Sequence, residues 1–90
     1  MNIFEGVKFG DKFRTRDGKP AVYLSTEHHG SVDDKDNPPF VIVYCAVEYH
    51  IKYEDGGEKY FHNVEKYDEN GKWSKWHPED DDLDIVEKEE

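Results

Sequence analysis

The sequence predicts an all-β fold: one small antiparallel meander, or an SH3-like partly open barrel, of about five to six strands. Three observations lead to this prediction. Glycine-containing turn signals recur along the chain, β-branched and aromatic residues flank them, and the longest apolar run alternates with a period of two. With 90 residues, the chain has room for a single domain over residues 1–90.

The N-terminal segment is expected to pack on the core and then turn into the first strand. Its hydrophobic residues are Ile3, Phe4, Val7 and Phe9, and the pair Gly10-Asp11 follows them. Residues 1–12 show no basic start followed by an apolar stretch, so we expect no export signal.

Three hairpin turns are predicted, because glycine with its Asp and Asn neighbours tolerates positive φ at low cost. The turns are Asp17-Gly18, Asp55-Gly56-Gly57 and Asn70-Gly71. Three such signals in one short chain favour consecutive antiparallel strands.

Residues 40–53 form the longest apolar run and are predicted to be a strand. Odd positions are all apolar or aromatic, whereas even positions are apolar up to Ala46 and polar from Glu48 onward. We therefore expect the odd face to point inward and the first half to be covered on both faces. Such a strand would be about 46 Å long, which a compact domain cannot hold, so a bend, bulge or break is expected near 46–48. A helix over 47–53 is the alternative, since Glu48 and Lys52 have i,i+4 spacing.

Residues 27–39 are predicted to form a long polar loop. The segment holds Gly30, Ser31, the pair Pro38-Pro39 and a secondary acidic cluster at Asp33, Asp34 and Asp36. A loop of this length is unusual in a compact domain, so we expect it to be mobile or to serve a function.

The C-terminal region is strongly acidic but retains a strand signal. Residues 79–90 contain eight acidic residues and one lysine, a net charge of −7 within a total of −10. Leu83, Ile85 and Val86 interrupt the charges. We therefore predict an acidic loop over 79–82, a short last strand over 83–87 and a frayed end over 88–90.

Charge, hydropathy and cysteine content exclude several classes of protein. The excess of 22 acidic over 12 basic residues argues against direct binding to a nucleic-acid backbone. No apolar run approaches the ~20 residues of a membrane span. The single cysteine, Cys45, cannot form an internal disulfide, which favours a reducing compartment.

Three motifs carry a resemblance to other proteins. They are the TRDGK hairpin at residues 15–19, the aspartate-and-glycine hairpin at residues 67–73 and the terminal Leu83-Asp84-Ile85-Val86. Together they resemble a loose group of short proteins from tailed phages, prophages and gut bacteria of the Bacteroides type. The resemblance spans most of the chain outside residues 1–9 and 27–39. It implies a small β fold and a phage or bacterial origin, and it assigns no catalytic residue. With the reducing compartment that Cys45 favours, we expect a location in the cytoplasm of a bacterial or phage-infected host cell.

Neither a metal site nor another cofactor is expected. The histidines are His28, His29, His50, His62 and His77, and their spacing matches no zinc motif. His50 and His62 flank one hairpin and could share an outer face. Asp68 opens a segment like a calcium loop, but Lys72 and Trp73 take the positions where an oxygen ligand and a glycine are needed.

Catalysis is not expected either. Cys45 lies in an apolar run and lacks the electropositive, partly exposed setting of a reactive thiol. No glycine-rich loop precedes a helix, so the usual phosphate cradle is not predicted. We therefore expect a protein that is not an enzyme.

Aromatic residues are too numerous for the interior of so small a domain. Cross-strand pairing over a thin core is one explanation, and a protein-binding surface is the other. Residues 73–78 place two tryptophans beside the acidic loop. The candidate interaction surface consists of Trp73, Trp76, Tyr60, Glu79, Asp80, Asp81 and Asp82.

These features favour a non-enzymatic protein-interaction module, an accessory protein of a phage or prophage whose partner is a basic host or phage protein. One alternative is an acidic nucleic-acid mimic that inhibits a DNA-binding or nuclease protein. Another is a small-ligand-binding β-barrel. An exposed strand edge could also pair two copies into a homodimer.

Overall fold

The computed structural model describes residues 3–73 and 81–89, and these form five strands and no helix. The strands are β1 (Lys12–Thr15), β2 (Pro20–His29), β3 (Phe40–Lys52), β4 (Glu58–Tyr67) and β5 (Ile85–Glu89). They pair antiparallel in one open sheet with the order β4-β3-β2-β1-β5. The predicted all-β meander is confirmed, and the last strand returns to pair beside the first.

Two of the predicted turns connect neighbouring strands. The Gly18 N–H donates to the Thr15 carbonyl at 2.9 Å, and the Gly56 N–H donates to the Tyr53 carbonyl at 3.0 Å. Both glycines have a φ of 89°. Residues that carry a Cβ adopt this backbone conformation only at a cost in free energy. The hairpins β1–β2 and β3–β4 therefore form where the sequence predicts them.

The third turn, at Asn70-Gly71, forms but leads into no strand within the described residues. The Asp68 N–H donates to the Lys72 carbonyl at 3.0 Å, and the Gly71 N–H donates to the Asp68 carbonyl at 3.1 Å. The Gly71 carbonyl in turn accepts from the Ile85 N–H at 2.8 Å. The turn thus joins the end of β4 to the beginning of β5.

The hydrophobic core of the described residues lies on one face of the sheet. It consists of Phe4, Phe13, Ala21, Tyr23, Val43, Cys45, Val47, Tyr67 and Ile85. As predicted, the N-terminal segment covers this face, with Phe4 buried against the ring of Phe13 at a centroid distance of 5.2 Å. The expectation that Phe9 joins it is wrong, since Phe9 is 78% exposed at the turn before β1.

β3 is one uninterrupted strand, which excludes the alternative of a helix over 47–53. Its odd positions Val43, Cys45 and Val47 point into the core, as the alternation predicts. The predicted bend near 46–48 is wrong, because the register of β3 with β4 runs without a shift from Val43 to Lys52. The irregularity lies in β2 instead, between Tyr23 and Ser25.

The expected compact shape is the reason for that error. The molecule measures 57 × 28 × 18 Å and has a radius of gyration of 15.1 Å, compared with about 12 Å for a compact domain of this size. A straight β3 fits because its second half extends past the core. Cover on both faces of its first half is also not observed, because Ile42, Tyr44 and Ala46 are only half-buried on the second face.

The predicted loop over 27–39 is shorter than expected, because β2 continues to His29. His29 pairs with Phe40 of β3, and the two rings stack at a centroid distance of 5.0 Å. Cross-strand pairing with an apolar strand overrides the polar composition of residues 27–29. The connecting loop therefore covers residues 30–39, all of them exposed.

The last strand begins and ends two residues later than predicted. Asp84 lies in the turn before it, and Lys88 and Glu89, expected to fray, pair with Phe13 and Lys12 of β1. Glu89 also forms an ion pair with Arg14 across the two strands. Of the predicted acidic loop, Asp81 and Asp82 lie in this turn region, whereas residues 79 and 80 lie outside the described residues.

Candidate functional site

The most prominent surface feature is a two-stranded arm formed by residues 48–62. β2 pairs with β3 only as far as Val47, opposite Ala21. Beyond that point β3 pairs with β4 alone within the described residues, from Glu48–His62 to Lys52–Glu58. The arm therefore projects past the rest of the sheet and accounts for the elongated shape.

Stacked aromatic pairs stiffen the arm on both of its faces. On the core side, Tyr49 and Phe61 stack at 5.2 Å with an interplanar angle of 13°. On the opposite side, His50 and Tyr60 stack at 4.3 Å with an angle of 2°. Direct cross-strand neighbours of this kind stabilise a sheet, and an isolated two-stranded ribbon needs such support.

Apolar side chains of the arm are open to solvent. The exposed fractions are 40% for Ile51, 50% for Tyr53 and 59% for Tyr60. None of the three belongs to the core or to the partly buried hydrophobic residues packed against it. Ile51 and Tyr53 follow the inward odd face predicted from the alternation, but no core reaches that far among the described residues. The arm thus presents aromatic and aliphatic surface without burying it.

Trp73 is placed differently from the predicted surface anchor. It is half-buried and packs against the core, and its indole Nε1–H donates to the Glu65 carboxylate at 2.7 Å. Glu65 shares the core face of the sheet with Cys45, whereas Tyr60 shares the opposite face with His50. The structure therefore does not bring Trp73 and Tyr60 together. Trp76, Glu79 and Asp80, the other predicted contacts, lie outside the described residues.

The Glu65 carboxylate is the centre of a polar network at the base of the arm. It accepts from the Tyr49 hydroxyl and the Asn63 amide, each at 2.9 Å, in addition to the Trp73 indole. Burial alone would raise the pKa of Glu65, but these three hydrogen bonds outweigh it and lower the pKa. Burial and the same carboxylate raise the pKa of Tyr49 to about 12, so the Tyr49 hydroxyl keeps its proton and donates at neutral pH.

The acidic turn at residues 81–84 packs beside the β1–β2 turn. The Asp81 carbonyl accepts from Arg16 Nε at 3.3 Å, and the Asp82 carbonyl accepts from the Asp17 N–H at 3.1 Å. Lys19 of the same β1–β2 turn lies 5.6 Å from the centre of the Tyr49 ring. The predicted acidic residues Asp81 and Asp82 therefore lie at the end of the sheet from which the arm projects.

Asp84 holds this turn together from a buried position. Its carboxylate accepts from the backbone N–H groups of Trp73 and Asp81, each at 2.9 Å, and from Lys72 Nζ at 3.3 Å. Arg16 Nη2 lies 3.6 Å away. Burial acts to raise the pKa of Asp84, but these hydrogen bonds and the positive charge of Lys72 lower it overall. The sequence predicts Asp84 only as part of the last strand and contains no signal for this role.

A groove lies between the 30–39 loop and the end of β4. Its volume is about 570 Å³. It is lined by Asp36, Asn37, Pro38, Pro39, Phe40, Val41, Ile42, Lys66, Tyr67, Asp68, Lys72 and Trp73. The lining is largely apolar and carries both lysine and aspartate side chains. Trp73 thus contributes to a concave surface at the end of the sheet where the 30–39 loop lies.

The cysteine lies in the core, whereas two of the histidines lie on the arm. Cys45 is fully buried, and burial raises the pKa of its thiol to about 12, so it stays protonated at neutral pH. His50 and His62 share the outer face of the arm on adjacent same-face pairs. Within residues 3–73 and 81–89, no group of three or more His, Cys, Asp or Glu side chains is arranged to hold a metal ion.

The described part of the chain contains no helix with the length and apolar character needed to cross a membrane. Comparison with protein-family models, with curated proteins and with solved structures finds no match to this sequence or this fold.

Proposed function

We propose that this chain is a non-enzymatic protein-interaction module and that the arm formed by residues 48–62 is its binding element. The observation that carries the proposal is the exposure of Ile51, Tyr53 and Tyr60 on a projecting ribbon. Aromatic side chains that are rigid and solvent-exposed are typical anchors of protein interfaces. The stacked pairs hold the ribbon in one conformation before binding, which reduces the entropy lost on association.

The charge distribution supports a basic partner. The chain carries a formal net charge of −10, and Asp81 and Asp82 lie at the end of the sheet where the arm begins. An acidic rim around an apolar centre attracts basic proteins and increases the association rate, with a strong dependence on salt. A role as an accessory protein of a phage or prophage, with a host or phage protein as partner, is supported by the three motifs of the resemblance.

The test starts from proteins captured from a bacterial lysate, followed by titration of each purified partner. The arm variant I51S/Y53S replaces two exposed side chains, so it should fold as the wild type does. We expect it to weaken binding at least about tenfold, corresponding to 1.4 kcal/mol. V32S serves as the matched control, because Val32 is 87% exposed but lies in the 30–39 loop away from the arm. Wild-type affinity of the arm variant for every partner would refute the proposal.

A further inference from the structure

β4 forms an edge of the sheet along its full length. It pairs with β3 over all ten of its residues, and in the described part of the chain no strand covers its other side. An open edge presents unpaired backbone N–H and C=O groups that can pair with another chain. Charged side chains, a common protection of edge strands, are present in β4 as Glu58, Lys59, Glu65 and Lys66, but no proline or bulge interrupts the strand.

The hairpin geometry defines which residues of β4 point these groups outward. The Tyr53 N–H donates to the Gly57 carbonyl at 2.7 Å. Hydrogen-bonded pairs alternate along an antiparallel ladder, so the odd residues from Lys59 onward bond to β3. The backbone N–H and C=O groups of the even residues point to the free edge instead. These residues are Glu58, Tyr60, His62, Val64 and Lys66.

We propose that two copies of this chain join antiparallel along β4, about a two-fold axis that passes through His62. In this register, Glu58 faces Lys66 of the second copy and Lys59 faces Glu65 of the second copy. Tyr60 faces Val64 of the second copy. By symmetry each of these pairs occurs twice, and His62 faces its own equivalent.

The side chains select this register over its neighbours. A pairing centred on Asn63 sets Glu58 opposite Asp68, which has the same charge. A pairing centred on Phe61 sets Glu58 opposite Val64 and Lys66 opposite Gly56. Only the His62-centred pairing among these three places opposite charges face to face. It also covers two exposed apolar side chains, since Tyr60 is 59% exposed and Val64 is 56% exposed.

The proposed dimer converts two five-stranded sheets into one continuous sheet of ten strands. Five outward-facing residues on each copy would exchange about ten N–H···O hydrogen bonds across the axis. The charge complementarity of β4 with itself favours a second copy as the occupant of this edge, rather than a strand of another protein. The pairing uses β4, whereas Ile51 lies in β3 and Tyr53 directly follows it, so the inference goes beyond the proposed function and takes only Tyr60 from the proposed binding surface.

A proline at position 62 tests the pairing directly. The His62 N–H points to the free edge and β3 does not use it, so H62P should leave the fold intact while removing the central donor. We expect the wild type to be a dimer in analytical ultracentrifugation and H62P to raise its dissociation constant at least about 100-fold. H62A keeps the N–H and should remain a dimer. Circular dichroism of the wild type, H62P and H62A verifies that all three fold.

Cysteine cross-linking tests the register. In the His62-centred pairing the two Cα atoms at position 62 face each other at about 5.5 Å, within reach of a disulfide. We expect H62C to cross-link under mild oxidation, whereas K66C should not, because its equivalents lie eight residues apart along the ladder. A monomeric wild type, a dimeric H62P or equal cross-linking of K66C would overturn the inference. If the I51S/Y53S variant still forms the dimer but no longer binds the partner protein, dimer formation and the proposed function are shown to be separate properties.

Discussion

The indole Nε1–H of Trp73 donates to the Glu65 carboxylate at 2.7 Å, and this contact fastens the segment after β4 to the base of the arm. Glu65 lies on the core face of β4, where Tyr49 and Asn63 also donate to it. Trp73 therefore contributes to the fold of the described chain through a polar contact as well as through packing against the core.

Replacing Trp73 with phenylalanine should lower stability. The W73F variant keeps an aromatic ring but loses a hydrogen bond to a charged group, which costs about 1.5 to 3 kcal/mol. The free energy of unfolding from urea titration measures the loss. Y60F is the matched control, because the Tyr60 side chain is largely exposed and should tolerate the change without loss of stability. Unchanged stability of W73F would contradict the structural role of the contact.

Asp84 should make stability depend on pH in the acid range. Its pKa in the folded state is below the ordinary value of 3.8, so the unfolded chain binds its proton first as pH falls. The contribution of Asp84 is therefore complete above about pH 5 and is lost as pH falls through the folded pKa. Urea titrations at about pH 2 to 7 measure this contribution. As pH falls, the free energy of unfolding should decrease less steeply for D84N than for the wild type.

The same substitution should destabilise the protein at neutral pH by about 2 kcal/mol, since a buried carboxylate loses charge-assisted hydrogen bonds. D82N provides the comparison within the same turn. The Asp82 side chain is exposed, and its carbonyl, which the substitution keeps, makes the contact with Asp17. Equal effects of D84N and D82N at pH 7 would show that Asp84 does not hold the turn.

Much of the fold could be predicted because the turns and the alternation of β3 each depend on a few neighbouring residues. In the turns Asp17-Gly18 and Asp55-Gly56-Gly57, Gly18 and Gly56 have positive φ, and the odd positions of β3 are apolar, so both signals are present in the local sequence alone. The predicted bend in β3 failed because it depended on overall shape. β2 stops pairing with β3 at Val47, and nothing in residues 48–52 predicts this. The alternation is the same in a strand that faces the core and in the exposed arm.

The candidate site was harder to predict because it depends on which side chains lie on the same face of the sheet. Trp73 and Tyr60 are both aromatic and both follow turn signals, but they lie on opposite faces of the sheet. The alternation of β4 defines the face of Tyr60, whereas Trp73 follows a turn and has no strand periodicity. The role of Asp84 depends on contacts with Trp73 and Arg16, which are distant in sequence.

Gly71 should tolerate alanine less well than Gly18. Both have positive φ, 84° and 89°, so both variants share a backbone penalty of roughly 1 kcal/mol. A Cβ on Gly71 would lie 2.5 Å from the Ile85 carbonyl oxygen, whereas one on Gly18 would meet nothing within 4 Å. We expect G71A to lose at least about 1 kcal/mol more than G18A, because it disturbs the contact between the turn and β5. Equal melting temperatures would refute this.

Removal of the Tyr67 hydroxyl should leave the protein equally stable or make it more stable. Tyr67 is buried on the core face of β4, and its hydroxyl has no hydrogen-bond partner among the described residues. A buried polar group without a partner carries a desolvation penalty, so Y67F removes a cost while keeping the ring. The expected change in the free energy of unfolding is between zero and about 1 kcal/mol in favour of the variant.

Tyr23 supplies the matched control for that substitution. It lies in the same core, but its hydroxyl forms a hydrogen bond of 2.6 Å with Thr26 Oγ1. Y23F should therefore lose about 1 kcal/mol, because the Thr26 hydroxyl is left without this partner. Chemical denaturation of both variants under one condition measures the contrast. A loss of stability in Y67F equal to that in Y23F would mean that the Tyr67 hydroxyl has a partner in solution.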